Sequence, residues 1–121
     1  MDDNNTIENF IKCTQGKKVV LFGAGNQMIN ALELIINKHQ IYVDYVVDND
    51  FRKWYSNIWG YEVKEPSALM EEDSDNLVVL ITSIYPLRIE EQLKNMNIKN
   101  YYSSLLFLET YIGRQQFAVF F

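Results

Sequence analysis

The residues best suited to chemistry form one short run, Phe22-Gly23-Ala24-Gly25-Asn26-Gln27-Met28. A glycine-x-glycine turn between an apolar strand and a long helix is the setting in which backbone N–H groups hold a phosphate. Gly23 allows the tight turn, and Gly25 lets an anion approach the main chain. Ala24, Asn26 and Gln27 complete the cradle, where the helix start offers unbonded N–H groups and the positive end of its dipole. Met28 stands where the dinucleotide fingerprint has a third glycine, whose absent side chain lets helix and strand pack closely. Met28 therefore either pushes the helix outward or turns its side chain into a gap, and the fit to a standard NAD pose is weakened. The plainer alternative is a turn that binds nothing.

Asp48 lies 20 residues beyond Met28, at the end of the next apolar run. An acid at that distance accepts hydrogen bonds from a ribose diol. Asn49 and Asp50 can do the same or simply shape the turn, as Asn and Asp often do. Thr82-Ser83 follows a third apolar run, where ligands of open α/β sheets sit. These hydroxyls can bond a phosphate or sugar, or cap the helix that Pro86 opens. His39 falls in the last turn of a helix and has no second His or Cys nearby, which argues against a metal. Cys13 reads as structural, and Trp54 and Trp59 read as cover for the sheet rather than stacking platforms. The run Glu71 to Asp75 reads as a solvated loop. No nucleophile elbow, zinc spacing, Walker lysine or Tyr-x-x-x-Lys pair is present.

The elements that must position these groups can be placed from the apolar pattern. Asn5 to Cys13 reads as a helix with Asn5 and Glu8 as a capping box, closed by Gly16. Lys18 to Phe22 is a strand buried on both faces. Asn26 to His39 is a helix carrying Met28, Leu32, Ile35 and Ile36 at helical spacing. Ile41 to Val47 is the second strand. Tyr61 to Val63 is a short strand, and Pro66 to Met70 is a short helix. Leu77 to Thr82 is a further buried strand, followed by a helix from Pro86 with Asn97 in the left-handed position after its end. Lys99 to Tyr102 is a last parallel strand. Alternation at these lengths predicts an α/β, Rossmann-like three-layer domain with a mainly parallel sheet. The strands at Lys18 and Leu77 should be parallel neighbours, as a topological switch point at the glycine turn requires.

The whole chain supports one domain: 121 residues, 48% hydrophobic, net charge -5. Nucleic-acid binding through counterion release needs clustered cations, and the 11 Lys and Arg are scattered, so no nucleic acid is expected. No membrane partner is expected either, because the apolar runs fall far short of a membrane span. One cysteine and a polar N-terminus suggest a cytoplasmic protein.

VVLFGAGN, the aromatic strand ending VVDND, GYEV with EPSAL, LVVLITS and LKNMNIKNYY occur in that order. Together they resemble small Rossmann-like domains attached to bacterial polysaccharide-biosynthesis proteins. They are similar to the N-terminal domains of sugar acyltransferases and of sugar epimerase/dehydratases. The resemblance spans roughly residues 17–105. It implies nucleotide or nucleotide-sugar contact at Gly23, Gly25, Asp48 and Asn49, with catalysis in a neighbouring domain. The expected division is an N-terminal helix over 1–16, the binding domain over 17–105, and an apolar tail over 106–121. That tail should pack on the domain, on a second copy or on a missing downstream domain. The leading expectation is a non-catalytic module for a small anionic nucleotide-type ligand, NAD or a nucleotide-sugar, with a possible homodimer or catalytic domain as partner. The alternatives are the cofactor half of an NAD-dependent oxidoreductase or epimerase, and a ligand-free dimerisation domain.

Overall fold

The fold is seen in a computed structural model that describes residues 5–105 and residue 107. In chain order the elements are α1 (Ile7–Cys13), β1 (Lys18–Phe22), α2 (Asn26–Ala31), β2 (Tyr45–Val47), β3 (Asn57–Ile58), β4 (Tyr61–Lys64), β5 (Leu77–Ile81), α3 (Pro86–Asn95) and β6 (Tyr101–Ser103), with short 3-10 turns between them. The sheet order is β3-β4-β2-β1-β5-β6. All pairings are parallel except the β3–β4 hairpin. β1 and β5 are parallel neighbours, as expected, with Lys18 opposite Leu77 through Phe22 opposite Ile81. The fold is therefore Rossmann-like, with helices on both faces of a mostly parallel sheet.

The three layers follow from alternation along the central strands. Val19 and Leu21 pack with Phe10 of α1 and with Met28, Ala31 and Ile35. Val20 and Phe22 face the other way, against Leu69, Ile89 and Leu93. β1 and β5 are thus apolar on both faces because both faces are covered.

Several boundaries differ from the sequence reading, each for a local reason. Thr6, not Asn5, caps α1, accepting from the Asn9 N–H at 3.1 Å. Asn5 is drawn away to β6, where its Oδ1 accepts from the Ser103 N–H at 2.8 Å. The helix after the glycine turn runs from α2 straight into a π-helical turn, Leu32–Ile36. β2 is shorter than the apolar run, because the Val19 N–H donates to the Asp44 carboxylate at 2.9 Å instead of to a strand carbonyl. β3 and β4 form a hairpin whose two-residue tip, Trp59-Gly60, has both φ angles positive, 54° and 85°, the conformation such tips favour. That turn swings Trp59 into solvent, so it does not cover the sheet, while Trp54 packs against the core. Asn97 takes the left-handed position at φ 60°. The N–H groups of Asn97 and Ile98 close α3 on the carbonyls of Lys94 and Leu93, a Schellman ending. Phe107 packs against Phe10 and Tyr102. The remainder of the expected tail, and residues 1–4 of the expected N-terminal helical segment, lie outside the described residues.

Candidate functional site

The chain winds in one direction from β1 through β2 to β4 and then crosses back to β5, so the switch point lies between β1 and β5. Gly23 sits there. Its φ is +127°, and a Cβ on it would lie 2.3 Å from the Thr82 carbonyl oxygen. Its N–H donates to Val47 O at 2.8 Å, its carbonyl accepts from the Thr82 hydroxyl at 2.7 Å, and the Thr82 N–H donates to Phe22 O at 2.9 Å. Backbone from both neighbouring strands clamps this turn, and only glycine fits it.

Gly25 is different. Its φ is -114°, which any residue adopts, and a Cβ there would meet nothing within 4 Å. Gly25 is the N-cap of α2 without a side-chain cap bond, in a position where Ser, Asp or Asn adds about 1 kcal/mol over Ala. The first bond of the helix is from the Met28 N–H to Gly25 O at 3.1 Å, so the N–H groups of Gly25, Asn26 and Gln27 have no intrahelical acceptor. The Gln27 Oε1 is buried beside them without a hydrogen-bond partner. Met28 resolves the question of the missing third glycine: its side chain is fully buried in the core beneath the turn.

Asp48 leaves β2 beside this turn. One carboxylate oxygen accepts from the Ala24 N–H at 2.8 Å, the other from the Asp50 N–H at 2.7 Å. Lys53 Nζ lies 3.8 Å from the same carboxylate and donates to Ala24 O at 3.4 Å. The Trp54 indole N–H donates to the Asp48 carbonyl at 2.6 Å. Asp48 therefore fixes the glycine turn while lining the openings beside it. The Asn49 amide exchanges two hydrogen bonds with Gln92 of α3, at 2.9 and 3.0 Å. Thr82, at 2% exposure, positions Gly23 through its hydroxyl at the wall of the first cleft. Neither Thr82 nor Ser83 caps α3; the Ser83 hydroxyl oxygen accepts from the Tyr85 N–H at 3.0 Å and keeps its own proton to donate.

Two clefts open at the carboxyl ends of the strands, on either side of a ridge made by Gly23, Asp48 and Ser83. The first, about 300 Å³, is lined by Gly25, Asn26, Gln27, Lys53 and Ile84 among others. The second, about 400 Å³, is lined by Asn49, Tyr85, Arg88, Ile89 and Gln92 with the ridge residues. All nine expected site residues thus come together, Asn49 towards the second cleft and the rest around the first. Sequence reasoning missed Lys53, Arg88 and Gln92. The adjacent pair Arg52-Lys53 just past the Asp48 turn was a usable signal for the first. Arg88 was legible only as a residue in the first turn of a helix that Pro86 opens at this end of the sheet. Gln92 carried no signal, because its role depends on Asn49 across the crevice. Among the described residues no three His, Cys, Asp or Glu side chains converge on a metal position, and no helix is long and apolar enough to cross a membrane.

Residues 15–102 match the protein family described as C2185-like, N-terminal, and the chain belongs to that family. No curated protein matches the sequence. Among solved structures the chain is similar in fold to RSP, a Rex-family repressor, at 15% identity and a TM-score of 0.50. That alignment covers 91% of this chain and 66% of the repressor, so the chain spans just under two thirds of that protein's length.

Proposed function

We propose that this member of the C2185-like N-terminal family is a non-catalytic module that binds a phosphate-bearing nucleotide-type ligand, a nucleotide-sugar or NAD, at the Gly23–Gln27 turn. One observation carries the reading. The Thr82 carbonyl forces glycine at position 23, whereas nothing crowds Gly25, an N-cap where Ser, Asp or Asn would serve folding at least as well. At Gly25 the absent side chain leaves an open cleft under N–H groups that have no intrahelical acceptor, the arrangement that accepts an anion. The Gln27 Oε1, buried without a partner, calls for a donor, which a ribose hydroxyl supplies and the phosphate does not. Lys53 supports it with a cation against the same cleft.

In this reading the phosphate rests on the N–H groups of Gly25, Asn26 and Gln27. Asp48 holds the turn and offers its remaining lone pairs to a ribose diol, and Ser83 donates its hydroxyl proton. Affinity is weak, because the Asp48 carboxylate already occupies the Ala24 N–H and places negative charge beside the phosphate. The motif order resembles that of polysaccharide-biosynthesis proteins, which supports reading the module as part of a glycan-modifying protein of the cytoplasm, beside a catalytic domain or a second copy.

Calorimetry with ADP, GDP, UDP, CDP and NAD tests the site on the wild type and on Gly25→Val. At least one ligand should bind with a Kd on the order of 0.1–1 mM, and Gly25→Val should weaken it more than about tenfold with Tm unchanged, since the new side chain fills the cleft and not the core. Absence of heat from every ligand at millimolar concentration removes the binding reading in favour of a ligand-free dimerisation domain. Steady turnover of NAD(H) by the 121-residue chain would establish the oxidoreductase instead.

A further inference from the structure

The second cleft has a chemistry of its own. Arg88 faces it, and among the described residues its guanidinium makes no ion pair; its printed contact is the Tyr85 ring, 5.7 Å from centroid to guanidinium carbon. The Tyr85 ring is 60% exposed. Gln92 lies one turn further along the same helix, and across the cleft lies Asn49; among the described residues their amides bond only each other. Each amide has an N–H and a lone pair left over. An aromatic face, a planar cation and a pair of amides with both donors and acceptors to spare suit a hydroxyl-rich ring that carries a negative charge. The guanidinium takes the charge bidentately, the amides exchange their mutual bonds for hydroxyls, and the ring stacks its C–H face on Tyr85. Asp48 is the one carboxylate lining the cleft, and its charge is offset by Lys53 and two backbone N–H groups.

We propose that the second cleft takes an acidic, hydroxyl-rich group joined to the phosphate held at the glycine turn, with Arg88 as its counterion. The proposal rests on the phosphate reading of that turn, because the Gly23–Asp48–Ser83 ridge is shared by both clefts and one ligand crosses it. The acid is a carboxylate or a second phosphate, which the same guanidinium accepts.

The test is an NMR titration of the nitrogen-15-labelled chain with inorganic phosphate, glucose 1-phosphate, glucuronic acid 1-phosphate and glucose 1,6-bisphosphate. Inorganic phosphate should move the Gly25 and Gln27 backbone amides. At least one acidic sugar phosphate should move these together with the side-chain signals of Arg88, Asn49 and Gln92. It should bind about tenfold more tightly than glucose 1-phosphate, the ratio expected of a charge-assisted hydrogen bond. Whichever of the two acidic probes gains the tenfold identifies the charged group. Arg88→Ala, an exposed substitution, should erase the difference between acidic and neutral probes while the Gly25 response to inorganic phosphate persists. Equal affinity for the acidic and neutral sugars, or acidic probes that move Gly25 but leave Arg88, Asn49 and Gln92 still, would overturn the proposal and spare the phosphate reading. A silent Gly25 with every probe would remove both.

Discussion

An aspartate flanks β2 on each side, and the two make the same bond at opposite ends of the sheet. Asp44 accepts from the Val19 N–H at 2.9 Å, and Asp48 accepts from the Ala24 N–H at 2.8 Å. The surroundings differ. Near Asp44 lies the larger opening, about 430 Å³, lined by Thr14, Gln15, His39, Gln40 and Tyr42. There α1 and the helical run after the glycine turn present their last carbonyls, the negative ends of their dipoles. Charges at that end of the sheet are satisfied internally: Lys18 meets Glu72 at 3.0 Å, and Glu72 also accepts from the Tyr45 hydroxyl at 3.1 Å. Burial and that carboxylate hold the Tyr45 phenol well above its ordinary pKa. At the Asp48 end the clefts are smaller, yet they hold unbonded N–H groups, an orphan amide oxygen and an unpaired guanidinium. Volume does not mark the site. The polarity of parallel strands and their helices does, since it turns helix starts towards one end only.

The largest effect separates the two glycines at the Asp48 end. Gly23→Ala should cost about 4 kcal/mol or more, from a clash with backbone plus a forced positive φ, and urea denaturation will read it. Gly25→Ala should change stability by no more than about 1 kcal/mol. Equal losses would mean that both glycines serve folding alone. Met28→Ala should cost about 3 kcal/mol, as truncation of a fully buried side chain does. If that loss is under about 1 kcal/mol in urea, the packing beneath the glycine turn is looser than the structure shows.

The two aspartates come next. Asp48→Ala should destabilise by about 2 kcal/mol, because it strands the N–H groups of both Ala24 and Asp50, and Asp44→Ala by about 1 kcal/mol, because it strands one. Calorimetry should show weakened nucleotide binding for Asp48→Ala and none of that effect for Asp44→Ala. A binding loss at Asp44 would move the site to the other end of the sheet.

The smallest effect is electrostatic. Hydrogen bonds and charge from Lys99 hold the Asp75 carboxyl below its ordinary value of 3.8. Arg52 does the same for Asp50. A depressed folded-state pKa stabilises above the unfolded value and ceases to do so as pH falls through the folded one. Wild type should therefore melt slightly above Asp75→Asn at pH 7, and the gap should close as pH falls through the lowered folded-state pKa. A gap that widens on acidification would contradict the sign. Both pairs are solvent-exposed, so raising salt should shrink it as well.

Much of this was legible in the residues themselves. Four consecutive apolar residues ending at Phe22, and five ending at Ile81, specify strands covered on both faces, because no half-exposed strand tolerates that pattern. The glycine pair between strand and helix, and an acid 20 residues on, placed the site at one end of the sheet. Asn97 announced the end of α3 through its tolerance of left-handed backbone. These are local facts, set by side-chain volume, period and backbone freedom.

What each site residue does was decided only by tertiary contact. The sequence could not distinguish Gly23 from Gly25, because the crowding atom belongs to Thr82, 59 residues away. It could not say that the Asp48 carboxylate would bind Ala24, 24 residues earlier, or that Asn49 would close on Gln92, 43 residues later. Nor could it say that Asn5 would leave its own helix for Ser103. A hydrogen-bonding group takes whichever partner the fold brings within about 3 Å, and sequence distance holds no record of that. Composition and period determined the layers and the end of the sheet that carries the cradle. The approach of β5 to β1 decided which glycine is structural and which leaves room for a ligand.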